Sequence, residues 1–373
     1  MLHVFFGLPG LYVIGRFLWP LRWPLPARVV AGLAVLVASQ YHLISRLSSG
    51  SPFSPEMPRS LVIAFNWGFG ALLFLAIFQL ALDLATLVVM VVRRRRVGLP
   101  QRARYGIGLC ALALAAVGVS QAIGVPPVKD VELAVKNLPP SFEGYKVLQL
   151  TDLHISRLFQ EPWARSVVDD SNALGVDLVV ITGDLIDGTV DDRRHDIEPL
   201  GGLRARDGVY VIPGNHEYFF GYQEWMDHFV ALGMRPLANS HAVLERGGEK
   251  LVLAGVTDFS AANVGLPGPD VAAAVAGAPT GVPIVLLDHQ PRTARLAADK
   301  GVAVQLSGHT HGGMVFGLHR LLALVNEGFV SGLYDVKGMQ LYVSNGTALW
   351  PGFAIRLGQP SELTRITLVR KAG

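Results

Sequence analysis

The chain has 373 residues, a single cysteine and a mean hydropathy of +0.39, and its net charge of +3 combines two oppositely charged regions. Residues 1–124 contain eleven arginines, no lysine and two acidic residues, a net charge of +9, which leaves −6 for the remainder. Because the arginines flank apolar runs, they do not form the basic patch of a soluble nucleic-acid-binding face, and we predict no nucleic-acid partner.

The first third of the chain contains apolar runs of membrane-spanning length. Residues 27–44, 61–92 and 105–123 each reach the roughly 18 residues that a spanning helix requires. A further run, residues 3–19, is interrupted by a Gly-Leu-Pro-Gly sequence and by Arg16. We predict that residues 1–124 form a transmembrane region of three or four helices. A series of buried core helices is disfavoured because the runs follow one another with almost no acidic residue between them.

Arginines crowd the connection before the last apolar run, at positions 93–96, 102 and 104. The positive-inside rule places this connection in the cytoplasm, so the chain after residue 124 is predicted to be extracytoplasmic. We therefore expect a multi-pass protein of the bacterial inner membrane. The same pattern also resembles an internal signal sequence whose cleavage would release the C-terminal part, although retention in the membrane is favoured.

Two polar residues, Gln79 and Asp83, lie about one turn apart in the longest apolar run. Such a pair is a candidate functional site within a membrane, and it is the only sequence feature that favours transport. The favoured interpretation is that both side chains face neighbouring helices or lie near the membrane interface.

Residues 125–144 are predicted to form a linker and a first strand, and residues 145–373 a second domain. In that domain five short apolar runs, which begin near positions 145, 177, 208, 283 and 302, each end in Asp, Asn or His. Parallel strands buried on both faces have this pattern, and their carboxyl ends open into the crevice where ligands bind. Predicted helices alternate with these strands while later strands pair locally. The predicted fold is therefore N-terminal transmembrane α-helices followed by an α/β domain of two mixed β-sheets, packed face to face and flanked by helices.

The polar strand ends supply carboxylate, imidazole and amide groups but no thiolate. This mixture suits Mn²⁺, Fe²⁺ or Zn²⁺ and argues against a structural zinc site. The candidate residues are Asp152, His154, Asp184, Asp187, Asn215, His216, His289, His309 and His311.

These residues occur in blocks that resemble the calcineurin-like metallophosphoesterase superfamily. The amino-acid sequences of the blocks most resemble those of the membrane-associated bacterial branch that includes the YkuE and YaeI phosphodiesterases. The resemblance covers roughly residues 145–369. The blocks are Asp152-Leu-His154, Gly183-Asp184-Leu-Ile-Asp187, Gly214-Asn215-His216-Glu217, His289 and Gly308-His309-Thr-His311.

The resemblance implies two divalent metal ions and a role for each candidate residue. One ion would be held by Asp152, His154 and His311, and the other by Asn215, His289 and His309. Asp184 would bridge the two ions, His216 would assist the leaving group, and Asp187 would orient a ligand histidine. Two positions depart from the family pattern, Met314 in place of a frequent glutamine and Asn345 in place of a frequent arginine, and both concern contacts with substrate.

The implied activity is that of a membrane-anchored phosphoesterase. It would hydrolyse phosphodiester, phosphomonoester or lipid-linked pyrophosphate bonds by means of metal-activated hydroxide. The expected partners are membrane lipids and a phosphoester substrate, which the apolar segment 313–334 would allow to be lipidic. The aromatic run 218–226 is a second candidate substrate surface, and for both segments the alternative is packing against the domain's own core. The rival function is a membrane sensor or scaffold that keeps the fold for binding, which the intact ligand set disfavours.

Overall fold

The computed structural model describes residues 2–95 and 98–371. Arg96 of the predicted cytoplasmic connection and the last two residues of the predicted 145–373 domain lie outside these ranges. The chain forms two compact units. The helical unit runs to Ala122 and also includes Trp350–Leu357, a segment that lies within the predicted second domain. The second unit, which we name the catalytic unit after the activity that the resemblance implies, comprises Ile123–Leu349 and the chain from Gly358 onward.

The described residues of the helical unit form five α-helices, and the first continues as a π-helical segment, Ile14–Leu18. The helices are α1 (Leu2–Val13), α2 (Leu25–Ser39), α3 (Tyr41–Ser49), α4 (Arg59–Arg93) and α5 (Gln101–Ala122). Within the described ranges, α4 and α5 are long and apolar enough to cross a membrane, and α2 with α3 would make a third span only as a bent pair.

Two predicted spans differ from the observed helices. The run 27–44 is not one straight helix, because the chain bends by 56° between α2 and α3. At this break Ser39 Oγ donates a hydrogen bond to Leu36 O, and Gln40 Nε2 donates to Ser39 Oγ. The run 3–19 forms only a short apolar helix, Val4–Leu18. The described residues therefore provide two or three candidate spans, and a fourth span is not found among them.

Asp83 belongs to a hydrogen-bonded cluster between α4 and the first helical segment. It accepts hydrogen bonds from Tyr12 Oη at 2.7 Å and from Gln79 Nε2 at 2.8 Å, and it pairs with Arg16 at 2.9 Å. Asp83 thus links α4 to the first helical segment, and Gln79 supports it from the same helix. This contact favours the packing interpretation of Gln79 and Asp83 over transport.

The catalytic unit contains two six-stranded mixed sheets, which confirms the predicted fold class. In spatial order the first sheet contains β1 (Val128–Val135), β12 (Leu363–Arg370), β2 (Tyr145–Leu150), β3 (Leu178–Thr182), β4 (Val209–Ile212) and β5 (Arg235–Pro236). The second contains β10 (Gly332–Val336), β11 (Met339–Val343), β9 (Val304–Ser307), β8 (Ile284–Leu287), β7 (Glu249–Gly255) and β6 (Ser240–Arg246).

Apolar side chains of both sheets form one buried core. Val147, Val180 and Ile212 of the first sheet pack in the same cluster as Leu287 and Leu306 of the second. A separate cluster joins the second sheet to α10 and α11. The helices of this unit are α6 (Glu161–Ala173), α7 (Val190–Ile197), α8 (Asn215–Phe219), α9 (Tyr222–Ala231), α10 (Val271–Val275), α11 (Ala294–Asp299) and α12 (His319–Val325).

Candidate metal centre

The polar residues at the strand ends come from neighbouring parallel strands. Asp152 follows β2, Asp184 follows β3 and Asn215 follows β4, and these three strands lie side by side and parallel. His289 follows β8 and His309 follows β9, which are parallel neighbours in the second sheet. Parallel neighbours open their carboxyl ends at one edge of each sheet. The structure brings all of these side chains together.

One half of the cluster contains Asp152, His154 and His311, whose candidate ligand atoms all lie within 4.8 Å of one another. His311 Nε2 is 3.6 Å from Asp152 Oδ1. All three residues are buried. We call this group the first half of the site.

The second half contains His289, His309 and Asn215. His289 Nε2 lies 3.2 Å from both Asn215 Oδ1 and His309 Nδ1. Asp184 stands between the halves, because its Oδ2 is 3.2 Å from His289 Nε2 and 3.9 Å from His154 Nε2. This geometry fits the predicted bridging role of Asp184.

Hydrogen bonds from outside the cluster fix the orientation of the histidine rings. Asp187 accepts from His154 Nδ1 at 3.1 Å with one oxygen and from His216 Nδ1 with the other. Thr182 O accepts from His289 Nδ1 at 2.8 Å. For His154 and His289, this bond commits Nδ1 as the donor and leaves the Nε2 lone pair free for an ion, which is the usual arrangement of metal-bound histidines. The buried Nε2 of His154 has no hydrogen-bond partner among the described residues. The residues present therefore fit a site for two divalent ions.

The charges of the cluster set unusual protonation states. Burial disfavours the ionised form of Asp184, but the charges of His289 and His216 outweigh it, so the pKa of Asp184 lies well below its usual range. Burial lowers the pKa of His216, but Asp184 and Asp187 outweigh this effect and raise it to about 9. Burial and the charge of His289 lower the pKa of His309 to about 3, so its ring is neutral and able to act as a ligand.

Comparison with known proteins identifies the family to which this arrangement belongs. The sequence model of the calcineurin-like phosphoesterase family matches residues 145–313. An uncharacterized metallophosphoesterase of Helicobacter pylori (strain J99 / ATCC 700824) is 32% identical over 279 residues, which are 74% of this chain and 73% of that protein. The chain belongs to the calcineurin-like phosphoesterase family.

Other relatives of this metallophosphoesterase include a membrane protein and YkuE, which confirms the resemblance seen in the sequence. A Danio rerio transmembrane protein with metallophosphoesterase domain is 38% identical over 264 residues, 68% of this chain but only 60% of that protein. The uncharacterized metallophosphoesterase YkuE of Bacillus subtilis is 28% identical over 65% of this chain and 85% of its own length. A solved 5'-nucleotidase precursor from Thermus thermophilus is 19% identical, with a TM-score of 0.38 over 61% of this chain and 54% of that one.

The metallophosphoesterase site is built on strained backbone. Asp152, His154, Asp184, His309 and His311 all have positive φ, between 44° and 68°. Left-handed backbone costs a non-glycine residue about 1–2 kcal/mol. Such outliers cluster at functional sites, where the surrounding structure holds them in place. The strain therefore supports a functional role for these five positions independently of their chemistry.

Gly308, between β9 and His309, lets two strand ends approach closely. A Cβ on this residue would lie 2.2 Å from Thr151 Oγ1 and 2.4 Å from Asp152 Oδ2. Because no side chain intervenes, His309 N donates hydrogen bonds to both oxygens of Asp152, at 3.2 and 3.1 Å. Gly308 thereby joins the ligand loops of the two sheets.

Glu217 has a structural role in the site that the sequence motif did not reveal. Its buried carboxylate accepts hydrogen bonds from the backbone N–H groups of Asp184 at 3.1 Å, Leu185 at 2.7 Å and Gly214 at 2.7 Å. Burial and the charge of Asp184 raise the pKa of Glu217 to about 7. Glu217 thus ties the loop after β3 to the loop after β4. Its place in the Gly-Asn-His-Glu block was the only sequence signal for it.

The two departures from the family pattern lie beside the first half. Asn345 is buried and accepts a hydrogen bond from Ser331 Oγ at 2.6 Å. It packs so closely on Gly312, the residue after His311, that a Cβ there would lie 2.2 Å from Asn345 Oδ1. Met314 is half-buried and has a positive φ of 59°.

The aromatic run after His216 divides into buried and exposed members. Tyr218, Trp225 and Met226 are buried, so they pack within the protein as the alternative interpretation expected. Phe219 is exposed, and its ring centroid lies 5.3 Å from that of His216. The half-buried Phe220 also lies near, with its ring centroid 6.2 Å from that of His216, so these two phenylalanines are the members of the run beside the site.

Proposed function

We propose that this chain is a membrane-anchored, dinuclear-metal phosphoesterase that hydrolyses phosphodiester, phosphomonoester or lipid-linked pyrophosphate bonds. The observation that carries the proposal is the pair of ligand groups that share Asp184, one fully buried and the other buried at His289 and half-buried at Asn215 and His309. In each group a histidine has its Nδ1 held by an outer partner, Asp187 for His154 and Thr182 O for His289. Structural clusters of buried histidines have no need of this alignment, whereas metal ligands do.

The proposed ligands are assigned by half. One ion would be held by Asp152, His154 and His311. The other ion would be held by Asn215, His289 and His309. Asp184 would contact both ions. The carboxylate, imidazole and amide donors favour Mn²⁺, Fe²⁺ or Zn²⁺. When bound, such ions supply Lewis-acid activation of water and neutralise the charge of the phosphoryl group.

His216 is proposed to be the general acid. Burial lowers the pKa of His216, but the carboxylates of Asp184 and Asp187 outweigh this effect and raise it to about 9, which favours the protonated form that a general acid requires. Asp187 accepts from Nδ1, so the proton available for transfer is on Nε2, which lies 3.9 Å from Asp184 Oδ2 and therefore beside the metal ligands. Nε2 would donate this proton to the departing oxygen, a contribution of order 10²- to 10⁴-fold.

The helical unit is proposed to anchor the protein by several spans and to place the catalytic unit outside the cytoplasm. Support comes from the apolar helices α4 and α5 and from the arginines that lie between them. Protease added to intact spheroplasts that express the chain should digest the catalytic unit. Protection of that unit until the membrane is broken would contradict the orientation.

The activity is tested on the full chain in detergent micelles after the metal has been stripped. We expect hydrolysis of a chromogenic phosphodiester or the matching monoester to return with Mn²⁺, Zn²⁺ or Fe²⁺. The Asp184→Asn variant should stay inactive, while Asp191→Asn, the same change at a fully exposed carboxylate, should behave as wild type. Turnover in the metal-free protein would refute the metal mechanism. Two bound ions without turnover of either ester would favour the rival binding function.

A further inference from the structure

The most exposed apolar side chains of the catalytic unit occur in one loop, residues 314–329, which we call the apolar loop. Phe316, Leu321, Leu324 and Val325 are 77%, 62%, 81% and 64% exposed. No other large hydrophobic side chain among the described residues of this unit exceeds 52%. Scattered exposed apolar residues are ordinary, but a contiguous group marks an interaction surface.

The apolar loop has the amphipathic form of an element that lies on a bilayer. Leu321, Leu324 and Val325 are spaced i, i+3 and i+4 on α12, so they share one face of a helix that has no buried residue. Arg320, exposed on the same helix, suits an anionic headgroup, and Glu327 is the only acidic residue of the loop. Apolar residues with an adjacent basic residue are typical of interfacial helices.

The loop begins next to the metal centre. His311 opens the short 3-10 turn His311–Gly313, and the start of α12 packs directly on that turn. A Cβ on Gly313 would lie 2.6 Å from His319 Cα. Whatever the apolar loop contacts is therefore held beside a metal ligand.

The base of the apolar loop is hydrogen-bonded to the residue that directly follows the segment Trp350–Leu357 of the helical unit. Val315 forms an antiparallel bridge with Gly358. The preceding residue, Leu357, is the last of the segment that belongs to the helical unit, which contains both helices of membrane length. Because the base of the loop is bonded to the residue that follows this segment of the proposed membrane anchor, we assign a lipid surface as the occupant of the exposed face.

We propose that the apolar loop lies in the bilayer surface and brings the phosphate of a membrane-embedded amphiphile to the metal centre. The substrate class is a phosphoester whose apolar part is a long hydrocarbon chain that stays in the bilayer. This inference rests on the proposed phosphoesterase activity, whose failure the experiment below distinguishes from its own.

The experiment uses the full chain, loaded with Mn²⁺, in nanodiscs of digalactosyldiacylglycerol, a lipid that contains no phosphate. One probe is a phosphodiester between dioleoylglycerol and methylumbelliferone, and the other is the water-soluble methyl analogue. In both, water adds to phosphorus and the bond to the aryl oxygen breaks, which releases fluorescent methylumbelliferone. The variants are Leu324→Glu in the loop and Leu296→Glu, a matched control at an exposed position of α11.

The wild type should have at least a tenfold higher kcat/KM for the lipid probe. Leu324→Glu should lower kcat/KM for the lipid probe at least tenfold, mainly through KM, and change the methyl probe less than twofold. Leu296→Glu should change neither. Equal turnover of the two probes, or an equal loss on both in Leu324→Glu, would overturn the inference and leave the activity standing. Hydrolysis of neither probe would overturn the proposed activity and this inference with it.

A second inference comes from the segment Trp350–Leu357 within the helical unit. Asn66, buried in α4, donates from Nδ2 to Pro351 O at 2.8 Å and accepts from Ala354 N at 2.6 Å. Tyr41 Oη also donates to Pro351 O, at 2.8 Å. Ile355 packs closely on Gly70 of α4, because a Cβ added to Gly70 would lie 2.0 Å from Cδ1 of Ile355. The helices of this unit thus bind the segment by hydrogen bonds and by close packing.

The residues just before that segment contact the first half of the metal centre. Thr347 N donates to Thr151 O at 2.8 Å and Ala348 N donates to Asp152 O at 2.9 Å. A Cβ on Gly346 would lie 3.1 Å from both Asp152 Cβ and His311 Nδ1. In the sequence, only Leu349 separates Ala348 from the segment Trp350–Leu357.

We infer that Asn66 is a positioning residue for the metal centre. By holding Trp350–Leu357, it restrains residues 346–348 against Asp152 and His311.

The test compares Asn66→Leu with Gln79→Leu, which removes another buried polar side chain of α4 that bonds to Asp83 rather than to this segment. Hydrogen exchange at the amides of Thr347 and Ala348 in the full chain should be at least tenfold faster in Asn66→Leu and unchanged in Gln79→Leu. Tyr41→Phe removes the bond to Pro351 O and the 3.3 Å bond that Asn66 Nδ2 donates to Tyr41 Oη but keeps the bonds of Asn66 to the segment, so it should give a smaller increase in a folded protein. Equal exchange rates in Asn66→Leu and Gln79→Leu, or no increase in Tyr41→Phe, would overturn the inference.

Discussion

The two halves of the metal centre are built from similar ligands but are supported differently. In the first half, the Nδ1 of His154 is held by the charged carboxylate of Asp187, and Asp152 adds a carboxylate of its own. In the second half, the Nδ1 of His289 is held by the neutral carbonyl of Thr182, and Asn215 supplies only an amide oxygen. A carboxylate partner makes a ligand imidazole more basic. The first half should therefore bind its ion more tightly, and the second should be the first to empty.

The largest effect on metal binding and activity is expected from a change at Asp184, which lies between the two halves of the site. Asp184→Asn should weaken both ion positions and lower activity by about 10³-fold or more, since even a lost outer partner costs 10- to 100-fold at one position. Metal content after dialysis and kcat/KM for a chromogenic phosphodiester measure this. A variant that keeps two ions and wild-type turnover would show that Asp184 does not bridge.

His216 should separate catalysis from metal binding. His216→Ala should lower kcat by about 10²- to 10⁴-fold, because the protonated Nε2 is lost, while two ions per chain remain bound. Single-turnover kinetics with metal analysis of the same sample checks this. Loss of an ion would instead identify His216 as a ligand, which its closeness to His154 and Asp184 would permit.

Asp187→Asn should reduce the difference in metal affinity between the two halves of the site. An amide oxygen cannot accept from both His154 and His216 as the two carboxylate oxygens do. Affinity for the tighter ion should fall about 10- to 100-fold, and affinity for the weaker ion should stay within twofold. Calorimetric titration of the metal-free protein with Mn²⁺ resolves the two steps. Equal weakening of both steps would contradict the proposed division of the site.

The smallest effect on activity is expected for Glu217, which supports the loops of both halves without being a proposed ligand. Glu217→Gln should lower the free energy of unfolding by about 1–3 kcal/mol, because a buried backbone N–H loses its acceptor. With metal bound, kcat should fall less than tenfold. Thermal unfolding checks this against Glu224→Gln, an exposed control. Unchanged stability would mean that the three backbone bonds are dispensable.

The sequence predicted most of the ligand-bearing strands because their signal is local. Each buried parallel strand is a short apolar run, and the polar residue that follows it lies at the crevice for a geometric reason. The positions of Asp152, Asp184 and His289 could therefore be read from the strand ends alone. The pairing of β6 with β7 likewise has a local signal, the Gly247-Gly248 pair between two short strand-forming runs.

Features that depend on distant contacts were not predicted. β12 lies between β1 and β2, parallel to one and antiparallel to the other, and no local pattern encodes that choice. The edge strand β10 has an alternating exposed pattern too short to stand out. Hydropathy measures how apolar a run is but not its direction, so the bend between α2 and α3 was missed. The place of Trp350–Leu357 depends on partners such as Asn66 that lie hundreds of residues away in sequence.

The left-handed backbone at five site positions has a consequence for directed evolution. Glycine carries no penalty for positive φ, and asparagine carries less than most residues. Each of Asp152, His154, Asp184, His309 and His311 instead stores about 1–2 kcal/mol. A library selected only for heat resistance should therefore become enriched in glycine or asparagine at these positions. The surviving clones would be thermostable proteins that have lost their metal chemistry.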